Sequence, residues 1–134
     1  MSLDRVWKII DDNEKTGKYH QIKARLIDNE NGVCINGLIL AYEAGIKPKD
    51  MMIHNRSQYF GKMFERTVSS KFKLDLNNED DFERINHLSD KEIVTEMKQR
   101  IKEGKKLDNV YLARLNNLGW SFKKLRDLLK ELDV

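Results

Sequence analysis

Cross-links and helix breakers are scarce in this chain: among 134 residues there is one cysteine, one proline and seven glycines. With Cys34 alone no internal disulfide can form, which fits a reducing compartment. With Pro48 alone almost nothing forbids long helical runs. Long apolar runs are missing as well. The longest, Val33 to Tyr42, is broken by Asn36-Gly37 and closed by Glu43, short of the roughly 20 residues that a membrane span needs. A strong excess of one charge is also lacking, because 25 Lys and Arg face 22 Asp and Glu, leaving +3. That balance permits a nucleic-acid partner without announcing one. The first residues carry Asp4, Asp11 and Asp12 and no apolar signal region, so a cytoplasmic protein with no membrane partner is expected. On that expectation the glycosylation pattern Asn55-Arg56-Ser57 carries no weight.

What is present is a sufficient core: 40% of the residues are apolar, and 134 residues fit one domain spanning 1–134. The periodicity is mainly helical. Leu3, Val6, Trp7 and Ile10 form a stripe for a helix over about 3–14, stopping before Gly17. Ile22, Ala24 and Leu26, then Val33 and Ile35, alternate around the turn-rich Asp28 to Gly32, which predicts a short β-hairpin near residues 22–35. Gly37 to Ala44 is apolar nearly all round, as a central helix capped by Gly45 would be. Tyr59, Phe60, Met63, Phe64 and Val68 mark a helix over about 56–69, and residues 75–88 read as a loop with one helical turn near Phe82 and Ile85. Ser89-Asp90-Lys91-Glu92 is a capping box opening a helix at 90, with Ile93, Val94, Met97 and Ile101 inward and Gly104 at its end. Leu107, Val110, Tyr111, Leu115 and Leu118 make the next helix, capped by Gly119. Phe122, Leu125, Leu128, Leu129 and Leu132 make the last. The fold class is therefore mainly α, a single-domain bundle of five to six helices with that one hairpin.

Catalytic constellations are not assembled by spacing. His20, His54, His87 and Cys34 stand more than ten residues apart, so only the fold can bring metal ligands or a His base together. Glu79-Asp80-Asp81 with Glu83 lacks the glycine and the alternating oxygens of a calcium loop. Cys34 sits between Val33 and Ile35 and reads as a buried thiol rather than a nucleophile. Neither a phosphate-cradling glycine loop nor a dinucleotide fingerprint occurs. The chain is thus expected not to be an enzyme and to need no cofactor; an enzyme using one of its three histidines as a base requires two of them to share a pocket with carboxylates.

Two binding readings remain. Residues 107–132 resemble a degenerate helix-turn-helix: Gly119 stands in the turn and Leu125 six positions on, although Leu115 occupies the place where a small residue lets the helices approach. Its second helix carries Lys123, Lys124, Arg126 and Lys130, a basic face suited to phosphates, with Lys102, Lys105 and Lys106 as possible helpers. Base-reading side chains at its start are scarce, Ser121 being the one small polar residue there. The leading reading is a small non-enzymatic interaction or regulatory protein that binds a protein partner. The broad cluster Tyr59, Phe60, Met63 and Phe64 is its candidate surface, and part of it would face a second copy in a homo-oligomer. Trp7 and Trp120 serve equally well as core anchors or as interface anchors.

The segments Gly17-Lys18-Tyr19, Arg25-Leu26, Cys34-Ile35-Asn36-Gly37, Ala44-Gly45, and Leu115-Asn116-Asn117 followed by Ser121 to Leu129 resemble a pattern in small proteins of bacteriophages and bacteria. In that pattern a Cys-x-x-Gly helix ends in Ala-Gly, and a Leu-Asn-Asp stretch precedes an amphipathic helix. The matches cover about a third of the chain; Asn36 stands for a leucine of the pattern and Asn117 for its aspartate. The resemblance implies an intracellular accessory protein, phage-derived or bacterial, and carries no activity with it.

Overall fold

The computed structural model describes residues 3–23, 30–44, 72–73 and 83–133. Its elements, in chain order, are α1 (Asp4–Thr16), β1 (His20–Gln21), β2 (Gly32–Val33), α2 (Ile35–Ala44), β3 (Phe72–Lys73), α3 (Asp90–Lys102), β4 (Leu107–Asp108), α4 (Asn109–Asn117) and α5 (Phe122–Leu132). A single helical turn at 83–85 precedes α3. The described residues are mostly helical, as the periodicity predicts. The expected helix over 56–69, with Tyr59, Phe60, Met63 and Phe64, lies outside the described residues.

Local signals set several helix ends. Gly17, at φ +62°, ends α1 and donates its N–H to the Asn13 carbonyl at 2.8 Å, the one-bond left-handed cap. Ser89 and Glu92 form the reciprocal capping box of α3. Two hydrogen bonds close the other end of α4: the Gly119 N–H reaches the Asn116 carbonyl and the Trp120 N–H reaches the Leu115 carbonyl, both at 3.1 Å. Gly119, at φ +100°, is the left-handed residue which that double bond requires. The Ser121 hydroxyl then accepts the Lys124 N–H and opens α5.

The strand pairing differs from the expected hairpin near 22–35. β1 and β2 do pair, but in parallel, with His20 opposite Gly32 and Gln21 opposite Val33. His20 N–H donates to the Asn31 carbonyl and Ile22 N–H to the Val33 carbonyl, the slanted pattern of parallel strands. Alternation reports which side chains share a face and is silent on strand direction. A second parallel pair joins β3 to β4, so Leu107, expected as the first residue of a helix, is extended, and α4 starts at Asn109. A fully buried apolar side chain fits the stripe in either conformation. The central helix starts at Ile35 rather than Gly37, because the Cys34 carbonyl already accepts the Leu38 N–H.

One apolar core runs through the five helices of the described residues. Leu3, Val6 and Ile10 of α1, Ile35, Leu38 and Ile39 of α2, Ile93 and Met97 of α3, Leu112 and Leu115 of α4, and Leu125 and Leu129 of α5 belong to it. α5 packs most extensively on α1, and α2 packs on α4 and α1. The α4–α5 turn is thereby left at one end of the fold, beside the start of α3.

Candidate binding surface at the α4–α5 turn

A polar side chain reaching in from β1, Gln21, and one of α4, Asn116, hold the turn between α4 and α5. Asn116 is fully buried; its Oδ1 accepts the Gln21 side-chain amide at 2.9 Å and the Ile35 N–H at 3.0 Å, while its Nδ2 donates to the Ile22 carbonyl at 2.8 Å. Gln21 in turn donates to the Trp120 carbonyl at 2.6 Å and accepts the Phe122 N–H at 2.9 Å. These bonds satisfy backbone groups at the turn and at the starts of α2 and α5, where helix geometry leaves orphans.

The start of α3 is fastened to the same turn. The Trp120 indole N–H donates to Asp90 Oδ2 at 3.2 Å, and that bond, followed by the Lys91 N–H, holds the Asp90 carboxyl below the usual range. The Lys124 ammonium lies 4.0 Å from the centre of the half-buried Trp120 ring. Lys23 reaches over the turn from the other side, its Nζ 3.4 Å from where a Cβ on Gly119 would stand. Leu118, expected on the buried stripe of α4, is instead 40% exposed, since the helix ends at Asn117 and the left-handed turn swings it outward.

From this end an open groove of about 600 Å³ runs along α3, lined by Leu88, Lys91, Glu92, Thr95, Glu96 and Gln99. Arg114 of α4 donates to the Leu88 carbonyl through Nε and Nη2, each at 3.1 Å. In the groove wall Glu96 accepts two hydrogen bonds from Arg84 and one from the Tyr111 hydroxyl at 2.7 Å. The Arg84 bonds lower the Glu96 carboxyl below its ordinary range. Burial, followed by the Glu96 carboxylate, pushes the Tyr111 hydroxyl up to about 12.

The structure divides the four basic residues expected on one face. Lys123 and Lys124 are exposed near the turn. Arg126 turns inward to α1, its side chain only 12% exposed, with Nη1 on Asp11 at 2.9 Å and in close contact with Glu14. Burial opposes its charge, but the hydrogen-bonded carboxylates of Asp11, Glu14 and Asp127 outweigh burial and raise its pKa. Lys130 lies 4.7 Å from the centre of the Trp7 ring and 3.7 Å from Asp11. Asp127 and Glu131 stand among the exposed positions of α5, and Glu131 pairs with Lys98 at 3.0 Å. Lys102, Lys105 and Lys106 are exposed at the far end of α3, where Lys105 pairs with Glu103.

The remaining sequence candidates do not converge. His20 and His87 are exposed and His54 lies outside the described residues. Among the described residues no three His, Cys, Asp or Glu side chains stand close enough to share a metal ion. Cys34 is 8% exposed, and burial pushes its thiol above the ordinary value. No described helix is long and apolar enough to cross a membrane.

Sequence reasoning missed Gln21, Lys23, Leu88 and Leu118 at this end. Only Asn116 carried a signal: four residues after Leu112, it is a polar residue on an apolar stripe. No family model, no curated protein and no solved structure matches the chain.

Proposed function

We propose that the chain is a non-enzymatic binding protein that takes a protein partner at the end of the fold where α3 starts and α4 turns into α5. The single observation that carries this reading is that exposed Leu118 and half-buried Trp120 stand at a turn hydrogen-bonded through Asp90 to the start of α3, where the groove at Leu88 begins among charged side chains. An apolar and aromatic centre inside a polar rim is the usual anatomy of an interface. The cytoplasmic setting, the phage or bacterial origin and a homo-oligomeric partner belong to the same proposal.

A photo-crosslinking residue at position 118, with a control at exposed Asp12, tests it in a lysate of the source cells. The expected result is an adduct from position 118 alone that Trp120→Glu abolishes. No adduct from position 118, or equal adducts from both positions, overturns the reading.

The second reading, nucleic acid at the same end, is favoured by Lys23 joining Lys123 and Lys124 around the turn. Against it stand the inward pairing of Arg126, the placement of Lys130 over the Trp7 ring beside Asp11, and the acidic residues on the outer face of α5. Titration into duplex and single-stranded oligonucleotides at low and near-physiological salt decides it. Micromolar binding that weakens steeply with salt selects nucleic acid.

A further inference from the structure

The charges around the α4–α5 turn are not equally available to a partner. Three carboxylates of this end are engaged within the fold. Asp90 accepts the Trp120 indole N–H and the Lys91 N–H. Glu92 accepts the Ser89 hydroxyl at 2.9 Å in the capping box, and Glu96 is gripped by Arg84 and Tyr111. The ammonium groups are used differently. Lys23, Lys91 and Lys123 have no carboxylate within salt-bridge distance among the described residues, and Lys124 lies over the Trp120 ring. The helix α5 also begins here, with no acidic residue in its first turn, and adds the partial positive charge of its N-terminus.

We propose that the partner segment is acidic and amphipathic, with an apolar side chain docking beside Leu118 and Trp120 and carboxylates reaching Lys23, Lys91, Lys123 and Lys124. The inference rests on the protein-binding reading above and adds the partner's chemistry to it. Charge complementarity carries it: a lysine rim around an apolar centre selects carboxylates flanking an apolar anchor and repels a basic segment. Lys124 can leave the ring for a carboxylate while the partner's apolar group takes its place on Trp120.

The test uses the full chain and the indole N–H resonances of its two tryptophans, of which Trp7 lies on α1 and serves as the internal control. The probes are an amphipathic peptide of about 18 residues with leucines at i, i+3, i+4, i+7 spacing and glutamates elsewhere, and its glutamine and lysine counterparts. A single-stranded oligothymidylate is the fourth probe. The expected result is that the glutamate peptide shifts the Trp120 indole and not that of Trp7, with affinity falling as salt rises. The triple variant Lys23→Glu, Lys123→Glu, Lys124→Glu should weaken it about tenfold or more. All three are exposed, and an unchanged circular dichroism spectrum shows that the fold survives.

If the glutamine peptide binds as well as the glutamate peptide, the acidic specificity falls while the docking reading stands. If only the oligonucleotide shifts the Trp120 indole, both fall in favour of nucleic acid. A Trp120 indole that no probe moves overturns both.

Discussion

Gln21 and Asn116 stand 95 positions apart in sequence and are joined by a 2.9 Å hydrogen bond between their side-chain amides. Through this pair β1 supports the turn between α4 and α5, because the same Gln21 amide also serves the Trp120 carbonyl and the Phe122 N–H. The candidate surface is thus built on a partly buried polar clamp.

Asn116→Ala should be among the more damaging single changes in α4. It leaves the buried Ile35 N–H and the partly buried Ile22 carbonyl without their partner, at about 1–3 kcal/mol for each unsatisfied group. Urea unfolding is expected to show a total loss of about 2–6 kcal/mol. Gln21→Ala should cost less, about 1–2 kcal/mol, because Gln21 is only half-buried and water can replace part of its bonding.

Leu129 of α5 is fully buried in the core. Leu129→Ala should destabilise by about 2–5 kcal/mol through lost transfer energy and a residual cavity. Exposed Lys123→Ala on the same helix should change stability by less than about 0.5 kcal/mol. Thermal unfolding of the two variants separates the inner and outer faces of α5.

Arg126 and Lys123 should part company in a second way. Arg126→Gln removes the ion cluster with Asp11 and Glu14, and a loss of about 1 kcal/mol is expected in denaturant. Peptide binding at the α4–α5 turn should stay the same, since Arg126 faces α1. Lys123→Glu should do the reverse. If Arg126→Gln impaired binding without loss of stability, the placement of this residue would be wrong.

Tyr111 and Glu96 should give the protein opposite pH responses at the two ends of the scale. Burial and then Glu96 raise the Tyr111 pKa to about 12, so between the ordinary value of about 10 and that value the folded state holds a proton that the unfolded chain has lost. Stability therefore falls as pH rises through this window. Ultraviolet titration should show a late tyrosine step that is missing in Tyr111→Phe. Arg84 lowers the Glu96 pKa, so its contribution is present above about 4.3 and fades as pH falls through the lowered folded value. In Glu96→Gln that acid-side loss should be smaller, by about 1 kcal/mol or less for a partly exposed pair.

Several features of the candidate site were legible before the fold was known. Gly119 in the turn and exposed Lys123 and Lys124 follow from spacing within one or two helical turns. The inward course of Arg126 was harder to see. It follows Leu125 directly and so lies on the flank of the apolar stripe rather than opposite it. Which way a flanking arginine turns depends on what packs alongside, and here α1 offers Asp11 and Glu14. Leu118 misled the stripe by being correctly spaced but one residue past the helix end.

The sequence by itself determined the helical class, the inward stripes of α1, α3 and α5, and the caps at Ser89, Ser121, Gly17 and Gly119. These depend on periodicity and on hydrogen bonds between residues at most five apart, which the local chain carries with it. Tertiary structure alone decided the parallel direction of β1 and β2, the clamp between Gln21 and Asn116, and the arrival of Lys23 over the turn. It also decided which basic residues of α5 meet α1 and which remain outside. Each of these depends on how elements dock across up to about a hundred residues, and docking geometry comes from the packing of the whole core rather than from any segment within it.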